Sequence, residues 1–369
     1  MFTRRQFIHS TTLIPGGLLA LQACSFDAPN DVSYEEAVRR TWHHAEANLG
    51  ERSSLLLELV RYATLAPSSH NTQCWKFRIE EQAISILPDL SRRCPVVDPD
   101  DHHLFVSLGC AAENLVHAAL ANGLASDIGF DATGHGVLRV ALASTKAVVS
   151  PLFTAIPTRQ CTRAVFNGKR LSNAELKLLE IAGTGNGVRV LLLTDRESME
   201  KVLEFVVQGN TAQMNDPAFV DELKAWIRFS DDEAVRTGDG LFSRSSGNPS
   251  VPRWLASPLF KLFFREGSEN QKYATHIRSS AGIAIFISEA SDPAHWVEAG
   301  RCYERFALQA AALDIRNAMV NQPVEVSAIR PQFANALGIG RNRPDLVVRF
   351  GRGPAMPKSL RRPVQTMRA

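Results

Sequence analysis

The apolar positions of this chain recur at two spacings, and the switches between them lay out a run of elements that is met twice. Leu55, Leu56, Leu59, Val60 and Ala63 fall at the three-and-four spacing of an amphipathic helix over 54–66, and a shorter helix is predicted over 34–47 behind the cap residue Ser33. The stretches 75–80 and 83–87 read as strands. Asp100 or Asp101 can cap a long helix over 104–122 that Gly123 ends, and short strands follow at 126–130 and 136–143. From Pro151 much of this order returns. Ser172 and Glu175 match a capping box opening a helix to Ala182, 188–194 and 283–288 read as strands, 296–313 as a second long helix, and 345–350 as a strand.

The two long helices share a signature. Gly109-Cys110-Ala111-Ala112-Glu113 lines up with Gly300-Arg301-Cys302-Tyr303-Glu304, so each starts with a glycine, places a glutamate four residues later and continues Ala-rich. An ancestral duplication is the simplest account, with a first half over 25–150 and a second over 151–369. The stretch 209–276 has no counterpart in the first half. Its helical runs are separated by Asn-Asp-Pro, Gly-Asp-Gly and Ser-Gly-Asn-Pro, and an insertion of this length in a compact domain reads as a helical lid.

Composition acts mainly by exclusion. With 369 residues and 45% apolar content the chain can bury a large core, and 21% charged residues with five Trp and nineteen Phe argue against disorder. Its 41 basic and 38 acidic residues nearly cancel, which excludes the concentrated basic face of a nucleic-acid binder. Residues 1–24 read as processing information. Thr3-Arg4-Arg5-Gln6-Phe7-Ile8 resembles a twin-arginine export signal, and the apolar run 13–23 is too short to span a bilayer comfortably. Leu21-Gln22-Ala23-Cys24 is similar to a lipobox that would lipidate Cys24; ordinary cleavage nearby and a retained anchor stay open. The expected location is the periplasm or cell envelope, with membrane attachment only through the signal or lipid. Beyond Cys24, the five cysteines 74, 94, 110, 161 and 302 contain no Cys-x-x-Cys pair, so neither a disulfide framework nor a zinc site is written into their spacing.

Candidate chemistry centres on 66–77, Ala-Pro-Ser-Ser-His-Asn-Thr-Gln-Cys-Trp-Lys-Phe, a helix-to-strand connection crowded with donors and acceptors. Pro67 cannot continue a helix, and Ser68, Ser69, Asn71 and Thr72 favour local backbone or a ligand over a helix ladder. This run resembles the Ala-Pro-Ser-x-x-Asn-x-Gln-Pro-Trp signature of the flavin-binding nitroreductase superfamily. Pro-Asp-Leu-Ser-Arg-Arg at 88–93 and Asp-Pro-Asp-Asp at 98–101 make it more similar to the Acg-like branch. The resemblance implies an α+β nitroreductase-like fold with antiparallel sheets flanked by helices. Two fused copies would form, inside one monomeric chain, the interface that such proteins usually make as homodimers.

It also implies one flavin mononucleotide (FMN) and the residues that hold it. Pro67, Ser68, Ser69 and Asn71 would close over the ring. Arg159, Cys161 and Arg163, in Pro-Thr-Arg-Gln-Cys-Thr-Arg, match the family's Arg-Arg-Ser-x-Arg phosphate and ribityl motif, with Gln160 and Cys161 as departures. Arg361 and Arg362, in Pro-Lys-Ser-Leu-Arg-Arg-Pro, match its terminal basic motif; arginine's planar fork suits phosphate. Gln322, Pro323, Glu325 and Val326 match its Pro-x-Glu-Gly run, whose backbone N–H groups face flavin N5 and O4, with Val326 in place of glycine. The same residues also read as a helix start with Pro323 in the first turn, and the two readings are compatible. Gln73 and Trp75 are expected to anchor the loop. After Ala182 the second half has only Gly-Thr-Gly-Asn-Gly, so one site is expected to be kept and one lost.

No metal is expected: adjacent histidines at 43–44 and 102–103 point apart on a helix, and the aspartates at 98–101 read as caps. Neither a dinucleotide fingerprint nor a Gly-x-Ser-x-Gly elbow is present. The expected function is an FMN-dependent oxidoreductase carrying hydride from NAD(P)H through flavin N5 to a nitroaromatic or quinone acceptor, with no catalytic side chain of its own. The alternative is a protein that holds or sequesters FMN with little turnover.

Overall fold

Two four-stranded antiparallel sheets have the same internal order, and the difference in what covers them explains the rest of the architecture. In the computed structural model, residues 32–45 and 51–369 are described; the stretch expected to be an export signal, including Cys24, lies outside them. The first half contains α1 (Tyr34–Thr41), α2 (Arg52–Thr64), β1 (Trp75–Ile79), β2 (Ala83–Pro88), α3 (His102–Ala121), β3 (Leu124–Asp131) and β4 (Val137–Ser144). After a short α4 (Pro151–Ala155) come α5 (Asn173–Ala182) and β5 (Val188–Leu193). Next are α6 (Arg196–Met214), α7 (Pro217–Trp226), β6 (Ile227–Arg228), α8 (Asp231–Thr237), β7 (Leu241–Phe242), α9 (Arg253–Phe263) and α10 (Glu266–Arg278). The chain closes with β8 (Gly282–Ser288), α11 (Pro293–Ala312), β9 (Arg316–Met319), α12 (Gln322–Glu325), α13 (Arg330–Ala336) and β10 (Arg343–Gly351).

The first sheet is ordered β1-β2-β4-β3 and the second β5-β8-β10-β9. Element for element, α2, β1, β2, α3, β3 and β4 correspond to α5, β5, β8, α11, β9 and β10. The fold class is therefore α+β, with antiparallel sheets flanked by helices. α3 and α11 pack on each other at the centre, and one continuous core joins both sheets through them. α3 is the one helix among the described residues long and apolar enough to cross a membrane, and it is mostly buried in this core.

The first sheet buries one face: β3 alternates strictly between covered and exposed positions. In the second sheet every residue of β8 is buried. Ala284 and Phe286 face α11, while Ile283, Ile285 and Ile287 face a second core built with Val202, Val206 and Ile277 of α6 and α10. The elements without counterpart thus run from α6 to α10, starting earlier than 209. Two of those helices are sheet cover, which leaves α7 to α9 as the part free to act as a lid.

Two local expectations also shift. α3 starts at His102, and the carboxylate that accepts its first N–H groups is Asp98, from His103 and Leu104 at 3.0 Å each, not Asp100 or Asp101. After β10 the tail crosses to the other half, where Arg368 bridges Phe77 and Ala369 N–H donates to Phe77 O.

Candidate functional site

The connection after α2 keeps its shape through side-chain bonds. His70, Asn71 and Gln73 have φ of 47°, 52° and 53°, values that non-glycine residues adopt only when their surroundings enforce them. Ser68 Oγ accepts from Gln73 N–H at 2.9 Å. Asn71 Nδ2 donates to the Gly240 and Leu360 carbonyls, and its Oδ1 accepts from Arg361 Nη1 at 3.0 Å. Gln73 Nε2 donates to Gly238 O while its Oε1 accepts from Arg362 N–H. The loop is thus held from the inserted helices on one side and the C-terminal tail on the other.

Beneath it lies a cavity of about 330 Å³. Pro67, Ser68, Ser69 and Asn71 line it from the first half, with His103, Ser107 and Cys110 of α3. Arg159, Cys161, Arg163, Gln322, Glu325 and Arg361 line it from the second half. The inserted helices add an apolar wall of Phe219, Leu223, Phe260 and Tyr273. Pro323, Val326 and Arg362 do not reach it. Val326 has φ −82°, so this turn needs no left-handed residue and valine fits where the resembled motif has glycine. Arg362 points toward the tail, donating to Thr366 O.

The cations of the site divide by what already occupies them. Arg361 donates to the Thr64, Leu65 and Ala66 carbonyls at the end of α2, and Arg159 donates to Leu65 O and pairs with Glu304 at 3.1 Å. Both are consumed largely in holding the loop. Arg163 lines the cavity without a hydrogen bond or ion pair among the described residues. Lys358, which sequence reasoning quoted but did not select, lines it too and bonds Pro157 O. Lys358, Arg361 and Arg159 gather round the Trp42 ring, at 4.5, 4.9 and 6.0 Å from its centroid. Burial, reinforced by Arg159, holds Arg361 down to about 9 and Lys358 down to about 8. Glu304 is pushed up to about 7 by its own burial, against the pull of Arg159. Positive charge therefore exceeds what the protein neutralises here, which is the electrostatics of an anion site.

Gln322 Oε1 is buried with no donor among the described residues, which leaves an acceptor for a ligand N–H. Together with the cations and the cavity lined by the serine loop and the apolar wall, the donor set fits a phosphate-bearing aromatic ring such as FMN. The corresponding place in the second half is filled. In the register set by Gly109 and Gly300, α11 carries Glu298, Arg301 and Arg305 where α3 has Ser107, Cys110 and Asn114. Glu298 bonds Arg301 at 2.8 Å and Arg305 at 3.3 Å, and a Cβ on Gly185 would lie 2.2 Å from Glu298.

Asp98, His102 and His103 cluster closely enough to suggest a cation, but each is bonded within the protein. Asp98 caps α3, His102 Nε2 meets Asp345 at 2.9 Å, and His103 Nε2 meets Asn321 Nδ2 at 3.4 Å. His103, Ser107, Cys110 and Tyr273 were not singled out as site residues from sequence; His103 alone carried a signal, beside the aspartates at 98–101.

No family model matches the chain. Two curated relatives from Mycobacterium tuberculosis, strains CDC 1551 / Oshkosh and H37Rv, each bear the provisional name NAD(P)H nitroreductase. Each is 22% identical over 308 residues, covering 80% of this chain and 84% of theirs. These relatives support a place in the nitroreductase superfamily. Among solved structures, a provisionally named nitroreductase from Anabaena variabilis has a TM-score of 0.47 at 11% identity, covering 86% of this chain and 91% of its own. The FMN-dependent nitroreductase NfnB from Mycobacterium smegmatis, solved with NADPH, has a TM-score of 0.37 at 13% identity, covering 55% and 87%.

Proposed function

We propose that this chain is an exported FMN-dependent oxidoreductase of nitroreductase type, in which two diverged copies of one fold, of the Acg-like kind, hold a single flavin between them. The observation that carries the reading is the one cavity in which the serine-asparagine loop of the first half faces the excess positive charge of the second. When bound there, FMN would supply the hydride chemistry between NAD(P)H and an aromatic nitro or quinone acceptor.

The chain's own residues do the rest. Arg163 and Lys358 attract and orient the anionic end of the cofactor, while Arg159 and Arg361 fix the loop that roofs it. Ser68 and Ser69 would offer hydroxyls to the bound ring, and Gln322 would offer an acceptor. Phe219, Leu223 and Phe260 exclude water from the opposite wall, which strengthens each electrostatic contact inside. Export through the twin-arginine route, suggested by residues 1–24, suits a protein that folds around a cofactor before leaving the cytoplasm.

The apolar wall also motivates a second reading, in which it covers the ring so closely that NAD(P)H cannot stack and the protein only stores FMN. Anaerobic mixing of purified holoprotein with NADPH separates the two. Bleaching of the oxidised flavin band supports the reductase, and a persistent yellow colour supports storage. Protein that purifies colourless with flavin supplied removes both.

A further inference from the structure

We propose that α9 is a membrane-docking helix, whose outer face, with Trp254 and Leu255, settles into the surface of an anionic lipid bilayer. The inference goes beyond the oxidoreductase reading and holds whether or not the cavity turns over.

The rotation of α9 is fixed from inside. Arg253 Nη2 donates to Ile227 O at 2.6 Å, Arg253 Nε pairs with Glu233, and the guanidinium lies 5.0 Å from the centre of the Phe229 ring. Two turns further on, Phe260 meets the same Phe229 ring edge-on, with 6.2 Å between centroids, and Phe260 and Phe264 line the cavity. Residues at this spacing share one helix face, so Arg253 and Phe260 mark the inner side. Trp254, Leu255 and Pro258 are left on the outer side, and all three are exposed. Trp254 is 76% exposed, the highest value of any large apolar side chain among the described residues, and Leu255 is 40% exposed. A surface helix normally turns charged or polar residues outward; this one is apolar there too, so its outer face calls for a partner.

Charge and size identify that partner. Residues 252–265 hold three basic side chains, Arg253, Lys261 and Arg265, and no acidic one. Arg253 is spent on Glu233, but Arg265 is exposed and its side chain makes no hydrogen bond or ion pair among the described residues. An apolar face flanked by cations complements a negatively charged lipid surface. The 11 residues of α9 make a helix about 16 Å long and about 10 Å wide. Its face offers roughly 160 Å², far below the about 800 Å² that each side of a stable protein interface buries, which disfavours a second copy or another folded protein. The same length is about half of what crosses a bilayer, so the helix lies in the plane of the interface, where an indole with an apolar body and a polar N–H is favoured. Docking in this way puts the cavity wall made by Phe260 about one helix diameter from lipid. It also adds a contact to the attachment through signal or lipid expected from residues 1–24. The exposed pair on α5 makes the contrast: Leu178 and Ile181 stand beside the Lys177–Glu180 ion pair at 2.9 Å, without an excess of cations.

The test uses the full chain and vesicles of phosphatidylcholine with about a third phosphatidylglycerol, carrying brominated acyl chains that quench any tryptophan immersed among them. Wild-type emission should fall as vesicles are added, and Trp254→Phe should lose most of that quenching, because the other four tryptophans are at least partly buried. The quenching midpoint should move to about tenfold more lipid in Leu255→Ser, and by a similar factor when the vesicles are phosphatidylcholine alone. Leu178→Ser with Ile181→Ser, on α5, should leave it unaltered. Emission that the vesicles leave unaltered would mean that the face is covered by another part of the chain or by a protein, and would overturn the assignment. So would quenching of equal size in Trp254→Phe, equal midpoints with and without the anionic lipid, or an equal shift in the α5 variant. All four substituted side chains are exposed, so the variants keep the fold, and none of these readings uses the flavin. Bleaching by NADPH can therefore fail while the docking of α9 stands, and the reverse.

Discussion

Gly109 and Gly300 stand in the same relation to each other's helix. A Cβ on Gly109 would lie 2.0 Å from the Val297 carbonyl oxygen, and a Cβ on Gly300 would lie 2.0 Å from that of Val106. Each glycine thus meets the residue three positions before the other, a reciprocity expected of a two-fold contact within one chain. Both obstacles are backbone, so no rotamer change can make room. Gly109→Ala or Gly300→Ala should therefore destabilise by about 3 kcal/mol or more, the upper range for overpacking, which exceeds the roughly 1 kcal/mol that alanine gains in helix propensity. Urea unfolding monitored by circular dichroism measures it. Equal stability of the alanine variants would mean the helices do not cross here.

The same crossing buries Glu113, which meets Arg301 at 3.0 Å, Arg305 at 3.1 Å and His117 at 3.4 Å. Burial pushes its carboxyl up, but His117, Arg305 and Arg301 together outweigh that and hold it down at about 2, against an ordinary 4.5. A depressed carboxyl contributes stability that is present above its unfolded value and lost as pH falls through the folded one. The window is therefore pH 4.5 to 2, and on the order of 3 kcal/mol is at stake. Stability measured across that range should fall steeply in wild type and more shallowly in Glu113→Gln, which should also be less stable at neutral pH because Arg301 and Arg305 lose a partner.

What could be read in advance follows from how far each feature depends on distant chain. Seven of the eight strands of the two sheets, both long helices and the Ser172–Glu175 capping box rest on neighbours within a few residues, and they lie within a few residues of where the pattern puts them, whereas the four-residue β9 is too short to show a pattern and is not predicted. The fate of α6 and α10 was not legible. Their apolar faces fit a lid as well as a sheet cover, and only the all-buried β8 decides between them. Nor could composition distinguish Arg163, which meets the cavity without a partner among the described residues, from Arg361, whose fork is taken up by three carbonyls almost 300 residues away.

That difference between arginines is testable. Arg163→Ala should weaken flavin retention by about tenfold or more, the scale of one charge-assisted contact, while leaving the unfolding midpoint of the apoprotein unaltered. Arg361→Ala should lower both, since it also strands the Thr64 and Ala66 carbonyls, while Leu65 O keeps Arg159. Flavin fluorescence on dilution, read beside urea unfolding of the stripped protein, distinguishes them. Full retention in Arg163→Ala would place the anion elsewhere.

Asn71 combines both burdens of the loop, a left-handed backbone at φ 52° and three side-chain hydrogen bonds to two remote segments. Asn71→Ala keeps the strained backbone without asparagine's tolerance for it, leaves the buried Gly240 carbonyl without its donor and takes an acceptor from Arg361, while Leu360 O keeps Arg361 Nη1. The expected cost is about 3 kcal/mol, from roughly 1 for the backbone and 1 to 3 for the stranded groups. Asn71→Gly removes the backbone part only, so it should recover about 1 kcal/mol of that loss and no more. Urea unfolding of the two variants gives the partition. If glycine restored wild-type stability in full, the bonds to the inserted helices and the tail would contribute nothing, and the roof would be held by its own turn.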